Sequence, residues 1–191
     1  MASPRPVPLY KLTDQKMQTH GGFQWKLGET NTASGAGGLC GPGWLHAYTD
    51  ANVAVLLNPI QANIEHPRLF MARGVVGKTG RGTKVGCTSL RLLREIPVPK
   101  WRRDERTRFA IYCAWYIGGD KIPEWTEWAL RWLAGVDRSY SDADAADAAA
   151  DAAAHAAGVP WSENTLAILA RRAKRDEAEY RRAAKAAGRK T

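Results

Sequence analysis

The spacing of apolar residues in the first sixty positions predicts short strands and one helix. Residues 23–28 alternate apolar and polar side chains, as expected of a strand with one buried face. Residues 7–12 and 45–49 are short apolar segments, and strands are predicted there as well. Asp50 follows the second of these segments directly and is a favourable N-cap. We therefore expect a helix over residues 51–57.

Glycine and proline separate these segments from two longer strands. Residues 31–43 contain five glycines and are expected to form a loop. Pro59 is expected to end the helix, because proline removes a backbone donor. Residues 68–76 are rich in apolar side chains and predict a strand, and residues 85–96 predict a further strand or mixed structure. The basic, glycine-rich residues 77–84 between them predict a turn.

Beyond position 100 the pattern changes from strands to helices. Asp104 is a candidate N-cap for a helix whose body, residues 109–117, is apolar nearly all round and is expected to be buried. Pro123 suits the first position of a second helix, and Gly135 suits the position after its end. Three side chains on one face of that helix are expected to pack on the preceding helix: Trp125, Trp128 and Trp132. The predicted fold class is α+β, with a β-rich N-terminal half, one inserted helix and two packed aromatic helices.

An alanine-rich helical C-terminal extension is predicted after these helices. Eleven of the sixteen residues at 142–157 are alanine, the strongest helix former. Gly158 and Pro160 separate this segment from a last helix, which is expected to begin at Ser162 and to fray at its basic end. The predicted division is an extended proline-rich N-terminus at residues 1–8, a globular α+β domain at 9–136 and a helical extension at 137–191.

The charge distribution indicates contact with a polyanion. The chain carries 28 basic and 19 acidic side chains, a formal net charge of +9. Twelve of the basic and three of the acidic side chains lie in residues 68–108, and a second basic block occupies 171–191. Nucleic acid is the polyanion we favour, and a basic surface that only keeps the protein soluble is the open alternative. The predicted nucleic-acid-binding residues are Arg81, Lys84, Arg102, Arg103, Arg106, Arg181, Arg182 and Lys185.

No strong catalytic or metal-binding motif is present in the sequence. Cys40, Cys87 and Cys113 are widely spaced and predict free thiols in a reducing compartment. A row of acidic residues ending in a histidine follows one face of the alanine-rich segment. Side chains on one straight helix diverge, so no metal site is predicted there. Gly-Lys-Thr at residues 77–79 lacks the upstream glycine of a phosphate loop, and a plain hairpin turn is favoured over an anion-binding nest.

His46 and Tyr48 form the candidate ligand site that the sequence favours most. On a strand their side chains point to the same side, next to a glycine-rich loop that lets a ligand approach the backbone closely. Purely structural roles, as a satisfied core histidine and a packed tyrosine, are the open alternative.

The N-terminal segments resemble a domain found in uncharacterised phage and prophage proteins. The shared pattern is a Tyr-Lys strand, an aromatic strand ending in glycine, and a Cys element followed by Gly-Trp-Leu-His-Ala. The residues that carry it are 9–11, 22–28, 39–40 and 43–48. The resemblance covers roughly residues 9–96 and the alanine-rich style of the tail. It implies a phage-type accessory protein without a settled activity.

The order of segments is also distantly similar to that of the ADP-ribosyltransferase fold. The shared features are a Tyr-containing first strand, a Gly-x-His/Tyr strand, a short helix and a strand ending in Val-x-Gly. This resemblance implies an enzyme that clamps NAD as its cofactor. Tyr10-Lys11 stands where that family has His or Arg on the first strand. The catalytic candidates under this resemblance are His46, Tyr48, Tyr10 and Glu95.

We therefore expect a phage-type accessory protein that contacts nucleic acid, or a nucleic-acid-bearing assembly, through basic surfaces and without a cofactor. Two alternatives stay open. One is an ADP-ribosyltransferase-like enzyme that uses NAD, and the other is a phage structural or assembly protein that self-associates through its alanine-rich helix. No segment approaches membrane-spanning length. We accordingly predict no membrane contact and a cytoplasmic location, in the host cell if the protein is phage-encoded.

Overall fold

The computed structural model describes residues 8–80, 82–118, 121–136, 138 and 164–188. These residues form antiparallel sheets in the first half of the chain and helices in the second, so the fold is α+β, as predicted. They fall into two compact units, with the division between Lys100 and Trp101. The first unit also includes the last helix up to Leu166, and the second includes that helix from Ala167. The predicted domain limits at 9–136 and 137–191 stay a prediction.

The strands of the first unit form two sheets. They are β1 (Leu9–Thr13), β2 (Gln18–Thr19), β3 (Phe23–Gln24), β4 (Thr30–Thr32), β5 (Leu45–Ala47), β6 (Arg68–Thr79) and β7 (Val85–Ile96). β2 and β3 pair with each other. The larger sheet has the order β1-β6-β7-β4. β5 also pairs with β7, on the same edge as β4 and opposite to β6.

A backbone pair between Tyr10 and Tyr48 closes four of these strands into a ring. The Tyr10 N–H donates to the Tyr48 carbonyl at 2.8 Å, and the Tyr48 N–H donates to the Tyr10 carbonyl at 2.9 Å. β1, β6, β7 and β5 therefore enclose a common core, because alternate side chains of each strand point inward. The buried core residues are Leu9, Trp25, Leu45, Ala47, Phe70, Ala72, Val85, Cys87, Leu90 and Leu92.

The strand predicted at residues 23–28 forms only over its first two residues, Phe23–Gln24. The Trp25 N–H still donates to the Met17 carbonyl at 2.8 Å, but Met17 has φ +60° and the pairing of β2 with β3 ends there. The Trp25 side chain is fully buried. Gly28 then adopts φ +77°, a left-handed conformation that ends the extended segment. The full-length strand prediction is therefore wrong, although the burial of the tryptophan follows from the same apolar alternation.

The hairpin between β6 and β7 is longer than predicted. β6 continues through residues 77–79, so the chain reverses between Thr79 and Val85. Residues 77–79 belong to β6 and not to a turn: Gly77 is the extra residue at a register shift, and Lys78 and Thr79 pair with Gly86 and Val85 of β7. The glycines instead make room for Trp44. A Cβ on Gly77 would lie 2.7 Å from its ring, and one on Gly86 would lie 3.0 Å from it.

Replacing Gly86 with alanine is expected to lower the free energy of unfolding by about 1–3 kcal/mol, because the added methyl overfills a packed site. That methyl would lie 2.7 Å from Leu39 and 3.0 Å from Trp44. Urea denaturation followed by tryptophan fluorescence measures the loss. Gly38→Ala is the control, since a Cβ there meets nothing within 4 Å. An equal loss in both variants would show that steric overlap is not the cause.

Two short helices follow β5 in the first unit: α1 (Ala51–Leu56) and α2 (Asn58–Gln61). The predicted cap is confirmed, since the Asp50 carboxylate accepts hydrogen bonds from the N–H groups of Asn52 at 2.8 Å and Val53 at 3.3 Å. The predicted end of this helix before Asn58 and Pro59 is confirmed, because α1 ends at Leu56, but a second helix was not predicted to follow. Pro59 lies in the first turn of α2, where no backbone N–H is required.

The second unit contains the helices α3 (Arg103–Tyr116), α4 (Pro123–Leu133) and most of α5 (Thr165–Ala186). The predicted start of α4 at Pro123 is confirmed, and Gly135 follows its end with φ +71°. The tryptophan face of α4 packs on α3, as predicted. The packed residues are Ile111, Tyr112, Trp115, Trp125, Trp128, Ala129, Trp132 and Leu133.

The N-cap of α3 is Arg102 and not the predicted Asp104. The Glu105 carboxylate accepts a hydrogen bond from the Arg102 N–H at 2.9 Å, which satisfies that donor. Asp104 lies inside the first turn and pairs with Arg181 of α5 at 2.5 Å. The predicted alanine-rich helix at 142–157 and the predicted helix start at position 162 lie outside the described residues.

α5 is anchored well beyond the point where the sequence predicted a fraying basic end. Glu177 is fully buried, and its carboxylate lies 3.0 Å from Arg108, 2.9 Å from Arg138 and 3.1 Å from Arg181. The Arg138 guanidinium also stacks on the Tyr180 ring at 3.8 Å. The prediction of a frayed end is therefore wrong for residues up to 186, because acidic residues of α3 and α5 engage part of the basic block.

Candidate functional site

Lys11 is a charged side chain on the inner side of the strand ring. The alternation of β1 places Lys11 on the same side as the core residue Leu9, and only 8% of Lys11 is exposed. Its Nζ donates a hydrogen bond to the His46 carbonyl at 2.7 Å and lies 5.0 Å from the centre of the Trp25 ring. The amine therefore links β1 to β5 across the inside of the ring.

Burial changes the proton affinity of two neighbouring groups in this core. Burial lowers the pKa of Lys11 from 10.5 to about 8, with a smaller raising effect from Cys87 and a lowering effect from Lys84. Burial raises the pKa of the Cys87 thiol to about 11, against the attraction of Lys11. At neutral pH the thiol is protonated and is a poor nucleophile, so the pair supports a structural role better than a catalytic one.

His46 lies in β5 and Tyr48 follows it directly, but both are engaged in packing. His46 is half-buried, and its Nε2 contacts the Leu39 carbonyl of the glycine-rich loop. Burial lowers the pKa of His46, so the ring is neutral at pH 7 and this nitrogen donates to the carbonyl. Tyr48 is 5% exposed, and burial raises its pKa to about 12. These contacts fix the loop against the strand ring.

Glu95 is not brought to the same place as His46. His46 lies opposite Gly86 of β7, and Glu95 is nine residues further along that strand, which corresponds to about 30 Å. The Glu95 carboxylate instead pairs with Arg68 through hydrogen bonds of 2.6 and 3.0 Å, which lower its pKa. Of the other catalytic candidates, Tyr10 is brought next to Tyr48, through backbone hydrogen bonds between the two residues.

The predicted nucleic-acid-binding residues are divided between the two units. Arg81 lies outside the described residues, and Lys84 is partly exposed just before β7 in the first unit. The second unit holds the others, at the start of α3 and near the end of α5: Arg102, Arg103, Arg106, Arg181, Arg182 and Lys185. The ion pair between Arg181 and Asp104 brings these two groups side by side, but it engages Arg181 itself.

The sheet places three further arginines together that sequence reasoning did not single out. Arg73 of β6 lies directly opposite Arg91 of β7, and Thr30 of β4 lies on the other side of Arg91. A register shift next to this row sets Arg94 opposite Met71. Arg73, Arg91 and Arg94 are exposed, and we call them the arginine cluster. Their strand and charge were visible in the sequence, whereas the register that joins them was not.

The arginine cluster lies on the outer face of the sheet, which we define as the side opposite the ring core. The row of Leu12 and Leu69 on this side is buried, so the exposed part of the outer face begins at the next row, which contains Tyr10, Met71 and Arg94. Like charges directly opposite each other on neighbouring strands destabilise a sheet. Within the described ranges, no acidic side chain forms an ion pair with any member of the cluster. The next row of the same face contains Val75, Ser89 and Thr32. The face therefore combines uncompensated positive charge with hydroxyl groups, which are the usual donors to phosphate oxygens.

The described residues also bear on metal binding, cysteine pairing and membrane crossing. No group of three or more His, Cys, Asp or Glu side chains within them is arranged to hold a metal ion. Cys40 is exposed and the other two cysteines are buried; all three are free, as predicted. No helix in this part of the chain is long and apolar enough to cross a bilayer.

Comparison with known families assigns the first unit. The model of a domain of unknown function, DUF7666, matches residues 7–103, about half of the chain. The chain belongs to the DUF7666 family. The DUF7666 match spans every strand from β1 to β7 and ends at the first residue of α3. It therefore contains both the buried Lys11 side chain and the arginine cluster. No curated protein and no solved structure matches the chain significantly.

Proposed function

We propose that this DUF7666 protein binds nucleic acid through the outer face of its sheet, with the arginine cluster contacting phosphate groups. The observation that supports the proposal is the position of Arg73 directly opposite Arg91 without an acidic partner among the described residues. An arginine pair of this kind costs stability in the free protein, and a bound polyanion removes that cost. The planar guanidinium group also matches the geometry of a phosphate.

The basic residues of the second unit provide a further surface for the same partner. Arg102 and Arg103 are exposed at the start of α3, and Arg182 and Lys185 are exposed near the end of α5. The accessory role in a phage, and contact with a nucleic-acid-bearing assembly, rest on the resemblance of the N-terminal segments to phage and prophage domains.

The two alternative functions have weaker support. An ADP-ribosyltransferase-like enzyme would use His46, Tyr48 and a late Glu around NAD. Here His46 contacts a loop carbonyl, Tyr48 is buried, and Glu95 lies far along β7 in an ion pair with Arg68. Self-association through the alanine-rich helix involves residues 142–157, which lie outside the described part of the chain.

The salt dependence of binding tests the proposed function. Fluorescence anisotropy of a labelled 20-nucleotide single strand and a 20-base-pair duplex is measured between low and physiological salt. Replacing the three arginines of the cluster with glutamine is expected to reduce the slope of log K against log salt by about 2 on the single strand and by about 3 on the duplex. The reduction reflects three lost phosphate contacts.

The matched control removes the same charge elsewhere. Lys16, Lys121 and Arg131 are exposed and lie outside the cluster, so Lys16→Gln/Lys121→Gln/Arg131→Gln should change the slope much less. If both triple variants reduce the slope equally, binding depends on net charge and not on this face. If the wild-type protein binds neither probe at low salt, nucleic-acid binding is excluded.

A further inference from the structure

We propose that the outer face takes single-stranded nucleic acid, with Tyr10 stacking on a base while the arginine cluster holds the flanking phosphates. The proposal rests on the proposed function and specifies the class of nucleic acid and the residue that recognises its bases. The geometry of the face, the freedom of the tyrosine and the width of the sheet each contribute to it.

The strand register places Tyr10 beside the arginine cluster. Tyr10 of β1 lies opposite Met71 of β6, and Met71 lies opposite Arg94 of β7. Arg73 is two residues from Met71 on β6 and therefore shares its side of the sheet. From the spacings of strands and residues, Tyr10 is about 10 Å from Arg94 and about 8 Å from Arg73 between Cα atoms. The aromatic ring and the two guanidinium groups are therefore separated by no more than the length of one or two nucleotides.

Tyr10 is available for such a contact. Its side chain is partly exposed, and it makes no hydrogen bond, ring contact or cation contact with any residue that the structure describes. Other tyrosines of the chain are engaged: Tyr48 is buried, the Tyr112 hydroxyl donates to Asp176 at 2.7 Å, and the Tyr180 ring lies under Arg138. An aromatic ring without a partner, next to arginines without acidic partners, fits a base attached to phosphates.

The width of the sheet favours a single strand over a duplex. At any one row the outer face has three paired strands, either β1-β6-β7 or β6-β7-β4, which is about 10 Å from the first strand to the last. The major groove of duplex DNA is about 12 Å wide and admits a two-stranded ribbon. A three-stranded face is broader than such a ribbon, and the bases of a duplex are stacked inside the helix. Unpaired bases, in contrast, can lie flat on a sheet and stack on an aromatic side chain.

The experiment compares strands that have the same phosphates but differ in their bases. Anisotropy is measured on the full chain with a 20-nucleotide oligo-dT and with an abasic strand of the same length. Tyr10→Leu is expected to weaken oligo-dT binding by about 5- to 150-fold, the loss of one stacked base, and to leave the affinity for the abasic strand nearly unchanged. Tyr10→Phe keeps the ring and should retain most of the wild-type affinity.

A second measurement does not depend on a variant. Strands that contain 5-bromodeoxyuridine are irradiated with the wild-type protein, and the cross-linked peptides are identified by mass spectrometry. The expected cross-link is to the peptide that contains Tyr10. Separately, the thermal unfolding curve of the Tyr10→Leu variant shows whether that variant still folds.

The outcomes separate this proposal from the proposed function. If Tyr10→Leu weakens oligo-dT and the abasic strand equally, or if the duplex binds more tightly than oligo-dT, the single-strand proposal is wrong while nucleic-acid binding stands. A cross-link that lies only outside β1 also overturns it. If no probe binds, or if loss of the arginine cluster changes nothing, the proposed function itself fails.

Discussion

Replacing Glu177 with glutamine is expected to lower the free energy of unfolding by about 3–5 kcal/mol, the usual cost of removing one partner from a buried ion pair. Glu177 is fully buried, and Arg108, itself only 5% exposed, donates to it through Nε at 3.1 Å and Nη2 at 3.0 Å. Arg138 adds two hydrogen bonds of 2.9 and 3.2 Å. A neutral amide leaves the buried Arg108 guanidinium without a counter-charge, whereas Arg138 keeps Asp104 at 3.5 Å.

Urea denaturation followed by far-UV circular dichroism measures this loss, because the helices of the second unit dominate the signal. Glu179→Gln is the matched control, since Glu179 is exposed on the same helix two residues away. It is expected to change the stability by less than about 0.5 kcal/mol. A loss below about 1 kcal/mol for Glu177→Gln would show that the network does not hold α5 in place.

Lys11→Met is expected to remove a pH dependence of stability that only the wild-type protein shows. The pKa of Lys11 is about 8 in the folded chain, against 10.5 for an unperturbed lysine. Between these values the unfolded chain binds more protons than the folded one, so the stability contributed by Lys11 rises with pH. Relative to Lys11→Met, the wild type should gain about 3 kcal/mol from pH 7 to pH 11.

The difference between the two proteins is the quantity to measure, by chemical denaturation at several pH values. Cys87 and Tyr48 also titrate in this range, with raised pKa values that weaken the fold as pH rises. Their contributions are shared by both proteins and largely cancel. Lys16→Met, which replaces an exposed lysine, should show no such difference from the wild type. A constant difference between wild type and Lys11→Met would place the Lys11 amine in contact with solvent.

Local patterns in the sequence predicted those parts of the fold that depend on neighbouring residues. Asp50 caps α1 through its own side chain, Pro123 begins α4, and the tryptophans of α4 share a face because they recur at helical spacing. The same reasoning placed the end of α1 correctly before Pro59 but missed α2, because proline is compatible both with the end of one helix and with the first turn of the next. The fold class followed from these elements together.

The candidate site depended on contacts that no local pattern contains. The arginine cluster exists only because β6 and β7 pair in one register, with a shift between Met71 and Ala72 that moves Arg94 into line. A shift of one residue would turn alternate side chains to the other face. Likewise, Glu177 and Arg181 have the spacing of an exposed helical ion pair, and only the tertiary structure shows that Glu177 is buried.

The closure of the strand ring has a consequence for how the protein is made. β7 provides the pairing edge for β6, β5 and β4, and it is the last strand to be synthesised. Until residue 96 has left the ribosome, the earlier strands lack their common partner and keep unpaired edges, which are prone to aggregation. The DUF7666 match ends seven residues after β7 and therefore includes every strand of the ring.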